Sequence, residues 1–182
     1  MSSLKFLWQY ITKPKTVGAV WPSSRYLADK MVKNINFDTA VCIVEYGPGT
    51  GVFTDKLLQL RNENTHLLLF ETNEAFCLQL QEKYAQVKNI RIINDSAANI
   101  GQYLAGKQAD YVISGLPFAS LPQEVSSNIL AQTKQFLHAG GYFITFQYTL
   151  LKKDFIRGYF PVIEIKREIR NIPPAYVFYC RI

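Results

Sequence analysis

A glycine-rich turn carries the first residues that could bind a small molecule. Residues 45–51 read EYGPGTG. Glycine takes backbone angles that other residues avoid, and it lets a ligand approach the main chain closely. The leading glutamate adds a carboxylate, which can help to neutralise a positively charged group on that ligand. The residues expected to contact a ligand here are Glu45, Gly47, Gly49 and Gly51.

Three further polar segments follow, each at the end of an apolar run: Glu71, Asp95-Ser96, and residues 114–118 (SGLPF). An acidic residue such as Glu71, one strand after a glycine turn, can accept hydrogen bonds from both hydroxyls of a ribose. A solvated carboxylate at a strand end is the plainer alternative. Because ligands of open α/β sheets bind at the carboxyl ends of the strands, we expect all four segments to form one site.

The spacing of the glycines distinguishes two classes of ligand. Nicotinamide enzymes use Gly-x-Gly-x-x-Gly, in which the glycines make room for a pyrophosphate. The turn at 45–51 has a different spacing and begins with a carboxylate. S-adenosylmethionine has no phosphate, and the ammonium at its amino acid end suits a carboxylate such as Glu45. The pattern therefore favours S-adenosylmethionine as the cofactor.

The chain between these residues alternates between strand and helix patterns. Strands are predicted at 40–46, 66–71, 89–94, 109–114 and 142–149, and helices at 51–60, 74–84, 97–104 and 123–137, the last stopped by Gly140-Gly141. Such alternation predicts an α/β fold, a mainly parallel sheet with helices on both faces. A short helix at 152–157 and strands at 162–169 and 175–182 add a C-terminal antiparallel hairpin. This order is typical of the Rossmann-like class I methyltransferase fold.

Length and composition limit the classes of protein. A chain of 182 residues fits one domain, 1–182, with residues 1–36 as an N-terminal helical extension. Hydrophobic residues make up 48% and charged residues 19%, which excludes a disordered chain. The net charge of +6 favours an anionic partner, either acidic lipid or nucleic acid. The three cysteines form no Cys-x-x-Cys pair, and the two histidines have no partner at motif spacing, so no metal site is proposed.

The N-terminus indicates a membrane-contact helix at residues 3–13. Leu4, Leu7, Trp8 and Ile11 share one face of that helix, and lysines lie on the other side. A short basic amphipathic helix with Trp suits the headgroup region of an anionic bilayer, although a helix packed on the core is an equal alternative. No apolar stretch approaches the ~20 residues needed to span a bilayer. We expect a cytoplasmic monomer that can bind peripherally to the inner membrane face.

Five segments carry a resemblance that covers nearly the whole chain: 17–28 (VGAVWPSSRYLA), 44–54 (VEYGPGTGVFT), 113–118 (ISGLPF), 146–149 (FQYT) and 171–178 (NIPPAYVF). In them the sequence resembles the bacterial phospholipid N-methyltransferases, which methylate phosphatidylethanolamine toward phosphatidylcholine. That family lies within a wider group that includes the rRNA adenine dimethyltransferases. The resemblance implies methylation of the amine of phosphatidylethanolamine or a similar headgroup. It also implies that Asp95, with Ser96 beside it, contacts the exocyclic amine of adenine.

The loop after the fourth strand departs from the rRNA enzymes. Their common Asn-Leu-Pro-Tyr signature holds the adenine amine and stacks an aromatic ring on the flipped base. Here Ser114 and an added Gly115 replace the asparagine, and Phe118 keeps the aromatic ring. The loop therefore favours a lipid amine as acceptor. The alternatives are an rRNA or DNA adenine N6-methyltransferase and, more distantly, a non-catalytic nucleotide-binding module.

An aromatic pocket is expected around the acceptor amine. The residues assigned to the reacting site are Ser114, Tyr26, Phe118 and Tyr148, with Trp21 as a further aromatic. Aromatic faces tolerate a methylated cation, and burial lowers the pKa of an amine that must react unprotonated. Arg25, Lys152 and Lys153 are candidates for contact with the lipid phosphate. Ordinary core packing is the alternative for each aromatic residue.

Overall fold

The computed structural model describes residues 24–182, and its centre is a seven-stranded sheet. The strands are β1 (Cys42–Tyr46), β2 (His66–Phe70), β3 (Ile90–Ile93), β4 (Ala109–Ser114), β5 (Leu137–Gln147), β6 (Val162–Glu168) and β7 (Ala175–Arg181). Their order across the sheet is β3-β2-β1-β4-β5-β7-β6. Strands β1 to β5 are parallel, and β7 runs antiparallel to both β5 and β6. The predicted parallel sheet with a C-terminal antiparallel hairpin is confirmed.

Helices cover both faces of this sheet. They are α1 (Arg25–Val32), α2 (Val52–Leu60), α3 (Glu74–Lys83), α4 (Ile100–Tyr103), α5 (Gln123–Phe136) and α6 (Lys153–Arg157), with a 3-10 turn at Ala97–Asn99. Buried side chains of α1, α2 and α3 share one apolar cluster with one face of the sheet. Those of α4, α5 and α6 share a second cluster with the other face. The predicted two-faced arrangement is therefore confirmed.

The two-residue period of β1 divides its side chains between these clusters. Ile43 packs toward α1, α2 and α3, whereas Val44 and Tyr46 pack on the opposite face. All five residues of β1 are buried, as expected for a central strand of a parallel sheet. By the same alternation, the side chain of Glu45 points toward α2. Its carboxylate therefore lies against residues of that helix.

Side chains cap the helices that begin at the site. Ser24 Oγ accepts a hydrogen bond from Leu27 N at the start of α1, at 3.2 Å. Asn73 Oδ1 accepts from Ala75 N and Phe76 N at the start of α3. These caps satisfy amide groups that have no partner within the first helical turn. They fix the points at which α1 and α3 begin.

The helix predicted at 123–137 is confirmed as α5, but Gly140-Gly141 do not stop it. The helix α5 ends at Phe136, because Leu137 is already extended and pairs with Ala109 in β4. Gly141 lies inside β5, where a Cβ atom would stand 2.3 Å from the carbonyl oxygen of Asp110. The glycine is therefore needed for the close approach of two strands and not for ending a helix.

The membrane-contact helix predicted at residues 3–13, and Trp21, lie outside the described residues. Between residues 24 and 182, no helix is both long and apolar enough to cross a bilayer.

Candidate active site

The four polar segments meet at the carboxyl edge of the central strands. Gly47 N, directly after β1, donates to the carbonyl of Phe70 at the end of β2 at 2.9 Å. Gly49 N donates to Glu71 Oε2 at 3.2 Å. Gly115 N, after β4, donates to the carbonyl of Tyr46 at 2.9 Å. The glycine turn is thus bonded to the segments on both sides of it.

The three glycines of the turn have positive φ angles but different surroundings. Gly47 and Gly49 have φ of 64° and 56°, and a Cβ atom at Gly49 would meet nothing within 4 Å. Gly49 therefore borders open space, where a ligand can approach its backbone. At Gly51, with φ of 87°, a Cβ atom would lie 2.3 Å from the hydroxyl of Tyr84. Gly51 makes room for packing between α2 and α3, so its direct contact with a ligand stays a prediction.

Glu45 is a buried carboxylate with one unused oxygen. Its Oε2 accepts a hydrogen bond from Thr54 Oγ1 at 2.7 Å. Its Oε1 is buried and has no hydrogen-bond partner among residues 24–182. Burial raises the pKa of Glu45 to about 8, against the opposing effect of the Thr54 hydrogen bond. A cation at the glycine turn would favour the ionised form of this carboxyl group.

Glu71 connects the glycine turn to the start of α3. Its side chain is buried and accepts from Asn73 N at 2.9 Å as well as from Gly49 N. Its backbone carbonyl accepts from Asn94 Nδ2 at 3.0 Å, which brings the end of β3 to the same place. Carboxylate oxygens can accept more than one hydrogen bond each, so Glu71 retains capacity for ribose hydroxyls.

Asp95 is held by three donors in the segment after β3. Tyr103 donates to Oδ2 at 2.8 Å, and Asn99 and the amide of Ser96 donate to Oδ1. These hydrogen bonds, with Tyr103 the strongest, lower the pKa of Asp95, so it is ionised at neutral pH. Ser96 Oγ accepts from Ala98 N and caps the 3-10 turn. The predicted contact of Asp95 and Ser96 with adenine stays a prediction.

The loop at 114–118 is fixed from both sides. Ser114 is fully buried, and its Oγ accepts from Leu116 N at 3.2 Å. Gln147 Nε2, at the end of β5, donates to the carbonyl of Leu116 at 3.1 Å. A Cβ atom at Gly115 would lie 2.9 Å from the carbonyl oxygen of Gly47. Gly115 therefore allows this loop to lie directly on the glycine turn.

The predicted aromatic residues occupy different surroundings. Phe118 is fully buried and packs edge-on against Phe143, with ring centroids 6.1 Å apart. Tyr26 and Tyr148 are both half-buried. Burial raises the pKa of Tyr148, and a hydrogen bond with Asn171 partly opposes this. Tyr26 and Tyr148 thus have surface that a ligand can reach, whereas Phe118 lies in the core.

The helix α1 and the β6–β7 turn close this end of the site. Ser24 N donates to Asn171 Oδ1 at 3.0 Å, and Asn171 Nδ2 donates to the carbonyl of Pro173 at 2.8 Å. Asn171 is buried. It therefore links the start of α1 to the β6–β7 turn, two parts that are far apart in sequence.

These residues fit S-adenosylmethionine. The open side of Gly49 gives a ligand access to the main chain, and the adjacent Glu71 carboxylate suits a ribose. The unpartnered Oε1 of Glu45, in the strand that leads into the turn, suits the positive charge at the methionine end of the cofactor. Thr54, Tyr103 and Asn171 were not assigned a role from the sequence. Their spacing follows no motif, and their roles depend on contacts made only in the fold.

Comparison with known proteins identifies the family. The family model described as ribosomal RNA adenine dimethylase matches residues 15–156. An ornithine lipid N-methyltransferase of Singulisphaera acidiphila is 30% identical over 97% of this chain and 94% of its own length. A ribosomal RNA small subunit methyltransferase A of Sulfurihydrogenibium sp. is 28% identical over 59% of this chain, but over only 42% of its own length.

A solved structure has the same fold. It is a proposed methyltransferase from Streptococcus mutans in complex with SAH, with a TM-score of 0.65 and 19% identity. The match covers 86% of this chain and 96% of that one. Together with the family match, the fold and the glycine turn, these findings make the chain an enzyme that uses S-adenosylmethionine. It belongs to the ribosomal RNA adenine dimethylase family of class I methyltransferases.

Proposed function

We propose that this enzyme methylates the amine of a lipid headgroup, either phosphatidylethanolamine or a similar amine lipid. The observation that carries the proposal is the nearly end-to-end match to an ornithine lipid N-methyltransferase, over 97% of this chain and 94% of that one. The loop at 114–118 supports it, because Ser114 and Gly115 stand where rRNA enzymes commonly have an asparagine that holds the adenine amine.

The acceptor amine must be unprotonated and aligned with the methyl group that S-adenosylmethionine supplies when bound. We assign Tyr26 and Tyr148, which have accessible surface, to the pocket around that amine. Aromatic surroundings lower the pKa of the amine by desolvation. The Tyr148 ring favours the methylated cation through cation–π contact, because the Tyr26 ring already contacts two arginine side chains. Ser114 and Phe118 are buried, so we assign them to positioning the loop and not to contact with the substrate.

We also propose that the enzyme binds peripherally to membranes through the carboxyl edge of the sheet. Four apolar residues there are exposed to solvent: Leu150, Leu151, Ile169 and Ile172. They flank the strand ends at which β5 and the β6–β7 turn meet the site, and Lys152 and Lys153 follow in sequence. Exposed aliphatic residues with neighbouring lysines suit an anionic bilayer surface, together with the helix proposed at residues 3–13.

Sedimentation with vesicles tests the membrane proposal. Leu151 is 75% and Ile172 69% exposed, so replacing both by Asp should leave the fold intact and reduce binding to anionic vesicles at least tenfold. The matched control is Leu78→Asp on α3, where the side chain is 60% exposed on a helix over one face of the sheet. Equal vesicle binding by the double variant and the control would refute this surface.

Adenine N6-methylation of RNA is the second candidate function. The family model and the net charge of +6 favour it. Purified enzyme, labelled S-adenosylmethionine, mixed liposomes and rRNA in one reaction separate the two functions. Label in the lipid fraction is expected, and label in RNA alone would rule out the lipid function. Calorimetry with S-adenosylhomocysteine is the control, because it shows that the protein is folded and able to bind the cofactor.

A further inference from the structure

Tyr26 lies between two arginine side chains that come from opposite ends of the chain. Arg25 Nη2 donates to the Tyr26 hydroxyl at 3.1 Å, and the Arg25 guanidinium is 5.0 Å from the ring centroid. The guanidinium of Arg170, from the β6–β7 turn, is 4.2 Å from the same centroid. The fold thus gathers two cations around one aromatic ring at the carboxyl edge.

A buried carboxylate fixes the position of Arg170. Glu168 is 1% exposed, and it accepts from Arg170 Nε at 3.0 Å and from Nη2 at 3.3 Å. Lys30 Nζ lies 2.9 Å from Oε2 of Glu168, the oxygen that also accepts from Arg170 Nη2. The hydrogen bond from Arg170 is the largest of the effects that lower the pKa of Glu168 to about 2. Among residues 24–182, Nη1 of Arg170 has no acceptor, so one edge of the guanidinium remains available.

The positive charge of this cluster exceeds the negative charge. Lys30 and Arg170 both bind the carboxylate of Glu168, and Arg25 shares the ring of Tyr26 with Arg170. Asp29 is an acidic residue near both Arg25 and Arg170, and it is paired with Lys56 at 2.7 Å. Residues 1–23 contain no Asp or Glu, so that segment has no carboxylate with which to neutralise the cluster. Four cations (Arg25, Lys30, Lys56 and Arg170) therefore stand near two carboxylates, and this surplus of positive charge favours an anionic ligand.

The cluster lies beside the proposed amine pocket. Asn171 follows Arg170 directly, binds the amide of Ser24 next to Arg25, and lies near enough to Tyr148 to affect the pKa of that phenol. Ile169 and Ile172, on either side of Arg170 and Asn171, are both exposed. An anion bound by the arginines would therefore have the amine pocket on one side and an apolar surface on the other. That is the arrangement of an amine lipid, in which a short polar headgroup joins an anion to an amine and to acyl chains.

We propose that Arg25 and Arg170 bind the anionic group of the lipid headgroup and so position its amine for methylation. The anion is either the phosphate of an aminophospholipid or the carboxylate of an amino acid lipid, which present similar oxygens to a guanidinium. This inference rests on the proposed lipid function. It adds that the enzyme requires a headgroup with both an anion and an amine, so a simple long-chain amine should be a poor substrate.

Steady-state kinetics in mixed micelles test the assignment. We expect Arg25→Gln and Arg170→Gln each to raise KM for the lipid about tenfold or more, because each removes a charge-assisted hydrogen bond. The value of kcat should change far less, and affinity for S-adenosylhomocysteine should stay the same. Arg25→Lys and Arg170→Lys should recover part of the loss. Comparing phosphatidylethanolamine with ornithine lipid shows which anion the arginines prefer.

The matched control is Arg181→Gln. Arg181 also lies over a tyrosine ring, 5.4 Å from the centroid of Tyr142. It stands at the end of β7, however, where the amino ends of the parallel strands lie, away from the site. Because Arg170→Gln removes a partner of the buried Glu168, the exposed Arg25 gives the cleaner variant. A KM for Arg25→Gln equal to that of Arg181→Gln would overturn the anion site while leaving the lipid function intact.

A binding assay without turnover distinguishes two results: that the anion site is wrong, and that the proposed lipid function is wrong. Glycerophosphoethanolamine, a soluble headgroup, should shift the NMR signals of the wild type with S-adenosylhomocysteine and not those of the Arg25→Gln variant. If the wild type binds this probe through Arg25 but methylates no lipid, the site stands and the proposed function fails. If the arginine variants lose rRNA methylation and keep lipid methylation, the anion is an RNA phosphate and the inference is wrong.

Discussion

The two halves of the carboxyl edge are built in different ways. The cofactor half, after β1, β2 and β3, consists of short segments whose polar side chains bind mostly their own or the adjacent segment, as Asp95 binds Ser96, Asn99 and Tyr103. The acceptor half joins α1 to the β6–β7 turn, with Ser24 bonded to Asn171 and Arg170 placed over Tyr26. The cofactor half can therefore be recognised from local motifs, whereas the acceptor half exists only once the chain has folded.

The largest expected effect is that of Gly51→Ala. Its comparison with Gly49→Ala distinguishes a glycine needed for packing from one that borders the ligand site. Gly51→Ala places a methyl group against the hydroxyl of Tyr84, and it strains a φ of 87°. We expect it to lower the free energy of unfolding by about 3 kcal/mol. Gly49→Ala strains φ but meets open space, so it should cost about 1–2 kcal/mol and weaken cofactor binding more than stability. Urea unfolding and calorimetry measure both; equal losses of stability would contradict the distinction.

Glu45 gives the cofactor half a pH dependence. A carboxyl group whose pKa is raised by folding, here from 4.5 to about 8, stabilises the fold while it is protonated. That contribution is complete below about pH 4.5 and is lost as pH rises toward 8. Relative to Glu45→Gln, the cofactor-free enzyme should therefore lose about 2–3 kcal/mol of stability between pH 5 and pH 7. Parallel stability curves for the two proteins would show that Glu45 is ionised throughout.

Glu71 tests whether the cofactor half acts independently of the acceptor half. Glu71→Ala should weaken cofactor binding by about 1.5–3 kcal/mol for each charged hydrogen bond lost, as measured by calorimetry. Binding to anionic vesicles should be unchanged. Glu74→Ala, an exposed carboxylate in the first turn of α3, is the control and should change neither quantity appreciably. A loss of vesicle binding with Glu71→Ala would mean that the two halves are coupled.

Asn171 gives the corresponding test of the acceptor half. Asn171→Ala removes the acceptor for Ser24 N and the donor to the carbonyl of Pro173, so it should raise KM for the lipid severalfold and cost about 1–2 kcal/mol of stability. Affinity for S-adenosylhomocysteine should remain that of the wild type. Asn62→Ala, which removes an exposed 3.3 Å hydrogen bond to the carbonyl of Phe37, is the control. Weakened cofactor binding in Asn171→Ala would contradict the division into halves.

The sequence predicted that the segments of the cofactor half lie together, because each of their signals is local. Alternating apolar segments gave the parallel sheet, and the ends of those segments gave the glycine turn, Glu71 and Asp95. It carries no information on contacts that arise from packing between distant elements. Gly51 accommodates Tyr84, Gly141 accommodates the carbonyl of Asp110, and Phe118 is buried against Phe143. No spacing in the sequence carries that information.

The acceptor half was predicted only in part for the same reason. Tyr26 and Tyr148 lie within matched segments and are predicted to be pocket residues, but nothing in the sequence pairs them with Arg170 or Asn171. Those contacts require β7 to lie between β5 and β6, so that the β6–β7 turn reaches the start of α1. Topology thus supplies what residue types alone did not.

The most direct test of the central claim is the lipid composition of cells that express this enzyme. Mass spectrometry of lipid extracts from a bacterium without N-methylated lipids should reveal amine lipids with added methyl groups. The same cells with the Glu71→Ala variant at equal abundance should show them strongly reduced. An unchanged lipid profile, together with new N6-methylated adenine in rRNA, would contradict the lipid function.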